Sequence, residues 1–194
     1  SKFSTTRCLA RSRRVRLEPI LILSKWSRPK PNSCKMDVVV RSARTQDAAF
    51  IRSMALNTFL AYGSYDRYLK DWFKNDAVTT SIAELDGRAA GFSMITAYAD
   101  PDRPRENVAD LVAIAVSKPH QSRGIGGQLL AHALSFAESS PSKPREVWLV
   151  VAEDNACAQR LFRSAGFRLG EGLGIYPSGQ RALRMIKPFS RESS

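Results

Sequence analysis

VADLVAIAVSKPHQSRGIGGQLLAHALSFA, residues 108–137, sets the architecture. Its first nine residues are an almost unbroken apolar run, the pattern of a strand covered on both faces. Three glycines then fall within four positions, Gly124, Gly126 and Gly127, where glycine costs backbone entropy. Leu129, Leu130, Ala133, Leu134 and Ala137 follow as an apolar stripe that pins a helix to a sheet. A strand that runs into a helix N-terminus offers unpaired main-chain N–H groups and the positive end of the helix dipole. A diphosphate uses both, and glycine lets it approach the main chain. Arg123 adds a mobile cation. The spacing is not that of a Walker loop, because no Gly-Lys-Ser/Thr follows, nor that of the dinucleotide fingerprint, whose third glycine lies three residues on. By itself, Gly124-x-Gly126 also fits a bare tight connection.

Outward from this stretch, strands and helices alternate. DVVVRSA (37–43) reads as a strand from its valines. Thr45 and Asp47 open a helix through Phe50, Met54, Phe59 and Leu60, with Thr45 as its N-cap. Gly63 breaks it, and SYDRYLKDWF (64–73) continues as a second, aromatic helix. TTSIAEL (79–85) and RAAGFSMITAY (88–98) form a hairpin across Asp86-Gly87, and ADPDRPREN (99–107) is a polar loop. After the central helix, EVWLVV (146–151) reads as a strand, and Asp154 to Ala165 as a helix closed by Gly166. Residues 166–189 read as two strands around a turn at Ser178-Gly179. This order predicts an α/β (α+β) fold, a mixed, mainly antiparallel central sheet flanked by helices.

The 194 residues are 43% hydrophobic, enough for one domain with a core. No apolar run approaches the roughly 20 residues that span a bilayer, so no transmembrane helix and no membrane partner are expected. Cys8, Cys34 and Cys157 are odd in number and widely spaced. They suggest neither a disulfide framework nor a metal site, and point to a reducing, cytoplasmic setting. The net charge of +12 is concentrated at one end: residues 1–35 hold 10 Lys/Arg against Glu18 alone. That Arg- and Ser-rich stretch reads as a disordered basic extension. An organelle transit peptide, a basic arm touching RNA or acidic surfaces, and sequence upstream of a true start at Met36 all remain open. The body spans 36–189, with a short tail over 190–194, and nucleic-acid binding is not expected outside the extension.

Three segments together resemble one family. Ile114-Ala115-Val116-x-x-Pro119-x-Gln121-x-x-Gly124-x-Gly126 resembles the acetyl-CoA motif of the GNAT N-acetyltransferases. Asn155-x-x-Ala158-x-x-Leu161-Phe162-x-x-x-Gly166-Phe167 resembles their second CoA-binding segment. Tyr176-Pro-Ser-Gly179-Gln-x-Ala182-Leu183-x-Met185 is similar to the ribosomal-protein and protein N-terminal acetyltransferase branch. The resemblance implies the GNAT fold with acetyl-CoA as cosubstrate. The main chain of Ile114, Ala115 and Val116 would pair with the pantetheine amides. The loop of Gln121, Ser122, Arg123, Gly124, Ile125, Gly126 and Gly127 would hold the diphosphate, and Asn155 would bind the pantetheine arm. For Asn155 the ordinary alternative is a helix cap.

Acetyl transfer from a thioester needs a neutral amine, a polarised carbonyl and a proton for the departing thiolate. A main-chain N–H near Val116 would polarise the carbonyl. By the resemblance, the family's usual acid, a tyrosine, falls at Phe162, and a glutamate frequent in the N-terminal branch falls at Val150. Asp110 stands in register with the glutamate base of the superfamily's histone acetyltransferases. If buried, its pKa rises toward that of a useful base; if exposed, it is an ordinary strand-end residue. Tyr176 is a candidate acid or pocket wall, with core packing as the other reading. Glu171 is a further candidate base. His120 and His132 show no partner at a useful spacing, and Cys157 lacks a nucleophile's constellation. Tyr62, Tyr65, Tyr68, Trp72 and Phe73 crowd the helices that grip the acceptor in this fold, as packing or as a pocket wall.

The expected function is transfer of an acetyl group from acetyl-CoA to a primary amine of a small molecule or of a protein or peptide. The alternative is a GNAT-fold module that binds acyl-CoA with weak or no transfer. A homodimer is compatible with either.

Overall fold

The computed structural model describes residues 37–59, 66–176 and 178–189. The basic extension, Leu60, Tyr62, Gly63, Tyr65 and the tail lie outside the described residues.

The chain runs β1 (Val38–Ser42), a 3-10 turn (Thr45–Asp47), α1 (Ala48–Phe59), α2 (Asp66–Phe73), β2 (Val78–Leu85), β3 (Arg88–Ala99) and β4 (Asn107–Val116). It continues through α3 (Ile125–Glu138), β5 (Glu146–Ala152), α4 (Ala156–Ser164), β6 (Arg168–Ile175) and β7 (Arg181–Pro188). The strands form one seven-stranded sheet in the order β1-β2-β3-β4-β5-β7-β6. Every pairing is antiparallel except β4 with β5. The mixed, mainly antiparallel sheet read from the sequence is therefore the observed one.

Local chemistry explains most boundaries. Asp86 and Gly87 both take positive φ (+52° and +73°), the type I′ geometry that suits the right-handed twist of the β2–β3 hairpin. One expected boundary is corrected. Thr45 does not cap α1; it lies inside the 3-10 turn, and the Asp47 carboxylate accepts from the Arg44 main-chain N–H at 2.6 Å. Arg41 holds that same carboxylate at 2.8 Å, so a charged pair tying β1 to the helix start replaces a hydroxyl cap.

Helices cover both faces. Ile125, Leu129, Leu130 and Ala133 of α3, with Ala158, Leu161 and Phe162 of α4, bury one face of the sheet. Ile51 and Met54 of α1, with Leu69 and Trp72 of α2, bury the other. Of the aromatic cluster foreseen on α2, Trp72 is core, whereas Tyr68 is 56% exposed.

Two irregularities shape β4. Gly91 on β3 has no room for a side chain, because a Cβ there would come within 2.6 Å of the Ala115 carbonyl oxygen and 3.1 Å of Leu129 Cδ1. Glycine thus seats the end of β4 against β3 and under α3. Between the pairs Met94–Ala113 and Ile95–Leu111, Val112 is an extra residue. Such a bulge bends its strand and increases its twist.

Candidate active site

The bulge falls where β4 and β5 separate. These strands pair only at Ala109–Val147 and Asp110–Trp148, yet β4 runs on to Val116 and β5 to Ala152. They form a fork whose vertex is Asp110–Trp148. The edge of β4 facing the fork carries Ile114, Ala115 and Val116, while its other edge stays paired to β3. An unpaired strand edge can receive an extended ligand through alternating main-chain donors and acceptors.

At the open end, Gln121 Nε2 donates to the Val116 carbonyl at 2.9 Å, bracing the loop against the strand end. Ser122 (φ +64°) and Gly124 (φ +79°) both take the left-handed conformation, which curls the main chain so that successive N–H groups converge. Gly124 is the N-cap of α3 and makes no side-chain cap, and the first turn carries no acid. The N–H groups of Ile125, Gly126 and Gly127 belong to that first turn, where the helix supplies no acceptor. A Cβ placed on Gly124 or Gly127 would meet nothing within 4 Å, so space lies directly above this main chain. Arg123 is exposed beside it. A concave loop, an uncapped helix start, an open space and a cation fit a diphosphate.

Asn155 has a different setting. It is 7% exposed, and its Oδ1 accepts from the Ala158 N–H at 3.1 Å as the N-cap of α4. Its oxygen is committed to the helix. Gln159 Nε2 donates to the carbonyls of Ala152 and Glu153, fixing α4 to the end of β5.

The vertex holds a buried carboxylate. Asp110 is 1% exposed. Its neighbours Ala109 and Leu111 point into the α3 core, so the carboxylate faces the α1/α2 side. Tyr98 Oη donates to Asp110 Oδ2 at 3.3 Å, while Oδ1 is buried without a hydrogen-bond partner. Burial pushes the Asp110 carboxyl up to about 7, against downward pulls from the Tyr98 hydrogen bond and the charge of Arg184. Tyr98 is itself held well above the ordinary phenol value, first by burial and then by the charge of Asp110. Arg184 of β7 lies with its guanidinium carbon 4.7 Å from the centre of the Trp148 ring, and Trp148 Nε1 donates to Glu146 at 2.6 Å. Tyr98, Trp148 and Arg184 escaped the sequence reading. The available signal was a lone acid in an apolar strand, which demands partners, but strand order was needed to say which.

The other candidates lie elsewhere. Tyr176 is 6% exposed in the α1/α2 core, at the end of the β6–β7 hairpin where Ala182 pairs with Ala152. That pair is four residues along β5 from Trp148, about 13 Å of extended chain. Tyr176 and Asp110 are therefore not brought together. Glu171 is on β6, between the pairs Leu169–Met185 and Gly172–Leu183. Phe162 is wholly buried and stacks edge-on with Phe167, and Val150 is core opposite Arg184. Both histidines do have partners, contrary to the expectation from spacing: His120 Nδ1 lies 2.8 Å from Ser117 Oγ, and His132 Nδ1 lies 3.2 Å from Ser81 Oγ. Each partner is distant in sequence or in an irregular turn, which helix and strand periodicity does not register. Among the described residues, no cluster of His, Cys, Asp and Glu is arranged to hold a metal ion. None of the described helices is long and apolar enough to cross a membrane.

With this geometry in place, comparison with known proteins identifies the class. Residues 48–167 match the Acetyltransferase (GNAT) family, and the chain belongs to it. It is similar to the L-2,4-diaminobutyric acid acetyltransferase of Nocardia farcinica, 27% identical over 165 residues that cover 79% of this chain and 82% of that one. It is also 32% identical over 103 residues to the mycothiol acetyltransferase of Clavibacter michiganensis, across 53% of this chain and 30% of that protein. Among solved structures, Arabidopsis thaliana NAA60 in complex with acetyl-CoA shares the fold at a TM-score of 0.67 and 14% identity, over 78% of this chain and 98% of that one. The ribosomal-protein-S18-alanine N-acetyltransferase of Escherichia coli does so at 0.63 and 22%, over 81% and 97%. The protein is an acetyl-CoA-dependent N-acetyltransferase. The reading as a binding module without transfer is not favoured.

Proposed function

We propose that the fork is the catalytic centre and that Asp110 at its vertex is the general base for transfer to a small or peptidic primary amine. Bound acetyl-CoA supplies an activated thioester carbonyl. The loop 121–127 and the start of α3 hold its diphosphate, and the β4 edge at Ile114–Val116 aligns its pantetheine. Asp110 takes the proton from the acceptor nitrogen, through Oδ1 or an intervening water, as the nitrogen bonds to the carbonyl carbon. The thiolate departs and is protonated from solvent. A base titrating near 7 is well matched to this work, since it is ionised at mildly alkaline pH and still basic enough to accept a proton. Tyr98 is a positioning residue that holds Oδ2 and aims Oδ1. Tyr176, packed in the α1/α2 core at the end of the β6–β7 hairpin, has no proton-transfer role in this reading.

The observation that carries this reading is the fork itself, with an uncapped helix start at its mouth and a buried carboxylate at its vertex. The test is thiol release with an amine panel together with calorimetry. Asp110→Asn should keep acetyl-CoA affinity within about threefold while losing about 100-fold or more in kcat, the usual contribution of a positioned base. Loss of affinity without loss of kcat would refute the assignment.

A further inference from the structure

The half-buried arginines of this sheet are otherwise matched to acids. Arg41 bridges Asp47 and Glu84, and Arg145 bridges Asp100, Glu106 and Glu146. Arg184 differs: among the described residues no carboxylate lies within ion-pair distance of it, and its recorded partner is the face of Trp148. A guanidinium stacked on an aromatic ring keeps its N–H groups, which lie in its own plane, available at its edges. The Trp148 ring is fixed in turn by its hydrogen bond to Glu146. The strand registers place this cation beside the base. Asp110 pairs with Trp148, and Arg184 sits diagonal to Trp148 because it pairs with Val150. Asp110 and Arg184 are thus one strand pair and one diagonal apart, on the order of 10 Å between main chains. They influence each other electrostatically without forming an ion pair.

From this juxtaposition we infer that Arg184 is the acceptor-recognition residue, and that the acceptor carries a carboxylate near its reactive amine, as a free amino acid does. The inference rests on the proposed role of the fork and names its substrate class. The planar, bidentate edge of Arg184 takes the carboxylate, while the amine turns toward Asp110 Oδ1. A polyamine or aminoglycoside would meet a fixed cation where it needs an acid. The half-buried setting of Arg184 makes the charge costly to leave uncompensated, so an anionic ligand gains from it.

The experiment uses matched acceptors that differ only in the carboxylate: L-2,4-diaminobutyrate against 1,3-diaminopropane, and L-lysine against 1,5-diaminopentane, with thiol release measured at saturating acetyl-CoA. Wild type should prefer each acid by about 10- to 100-fold in kcat/KM, the worth of a charged hydrogen-bonded contact. In Arg184→Gln that ratio should fall toward one, chiefly through KM for the acid, and Arg184→Lys should restore part of it. Circular dichroism and melting curves establish that each variant is folded, and Arg184→Lys serves as the test if Arg184→Gln is not. A wild-type ratio near one, or a ratio that Arg184→Gln leaves unaltered, overturns this inference alone. No thiol release with any acceptor removes the transfer reading and this inference with it.

Discussion

Asp110→Asn should make the protein more stable at alkaline pH while disabling it. The carboxyl titrates near 7 in the fold against 3.8 ordinarily. The folded protein therefore retains a proton that the unfolded chain has released between those values. Stability contributed by this group is lost as pH rises through that window, and the full cost is present above about pH 7. That difference in pKa corresponds to about 4 kcal/mol, of which about 3 kcal/mol falls between pH 5 and pH 8. Asparagine does not titrate and can still accept from Tyr98. However, its amide nitrogen replaces the unpartnered Oδ1, and a buried donor without an acceptor costs about 1–3 kcal/mol. The variant should thus lie near parity with wild type at pH 5 and exceed it by about 1–3 kcal/mol at pH 8. Urea denaturation of both proteins at the two pH values measures this, and all other titrating groups cancel in the comparison. A stability difference that is the same at pH 5 and pH 8 would show that Asp110 has no raised pKa, and the argument for a base at the vertex would fall.

The remaining expectations concern its surroundings. Tyr98→Phe removes the hydrogen bond that lowers the Asp110 pKa, so the acid limb of kcat/KM should move up by about half to one pH unit, as expected for a bond of about 1 kcal/mol; a downward move in the pH–rate profile contradicts the placement. Gly91→Ala should destabilise the fold by about 2 kcal/mol or more in thermal or urea melts, because its Cβ would sit 2.6 Å from the Ala115 carbonyl oxygen. Acetyl-CoA affinity should fall with it, since the displaced segment borders the fork. Gly127→Ala should be neutral or slightly stabilising without ligand, having open space and no positive φ. Calorimetry should nevertheless show weaker acetyl-CoA binding, about tenfold, because the methyl group occupies the space above the diphosphate loop. Unchanged affinity would place the diphosphate elsewhere.

Much of the proposed cofactor half of the site is legible in the chain because it is local. A buried strand, a glycine turn and an apolar helix lie within thirty consecutive residues, so hydrogen-bonding geometry and helix chemistry constrain them directly. Element order and the Asp-Gly turn are readable for the same reason. The start of α1 is less so: Thr45 satisfies the usual capping preference, but a carboxylate clamped by an arginine from β1 takes its place. The proposed catalytic half is different in kind. Asp110 is conspicuous in sequence, yet only folding decides that it is buried and that one oxygen lacks a partner. Tyr98, Trp148 and Arg184 come from three strands, and they meet because the sheet is ordered β3-β4-β5-β7 rather than by position in the chain. Local propensities do not encode that order. It is set by long-range strand pairing, and the bulge at Val112 then shapes β4 close to where it parts from β5.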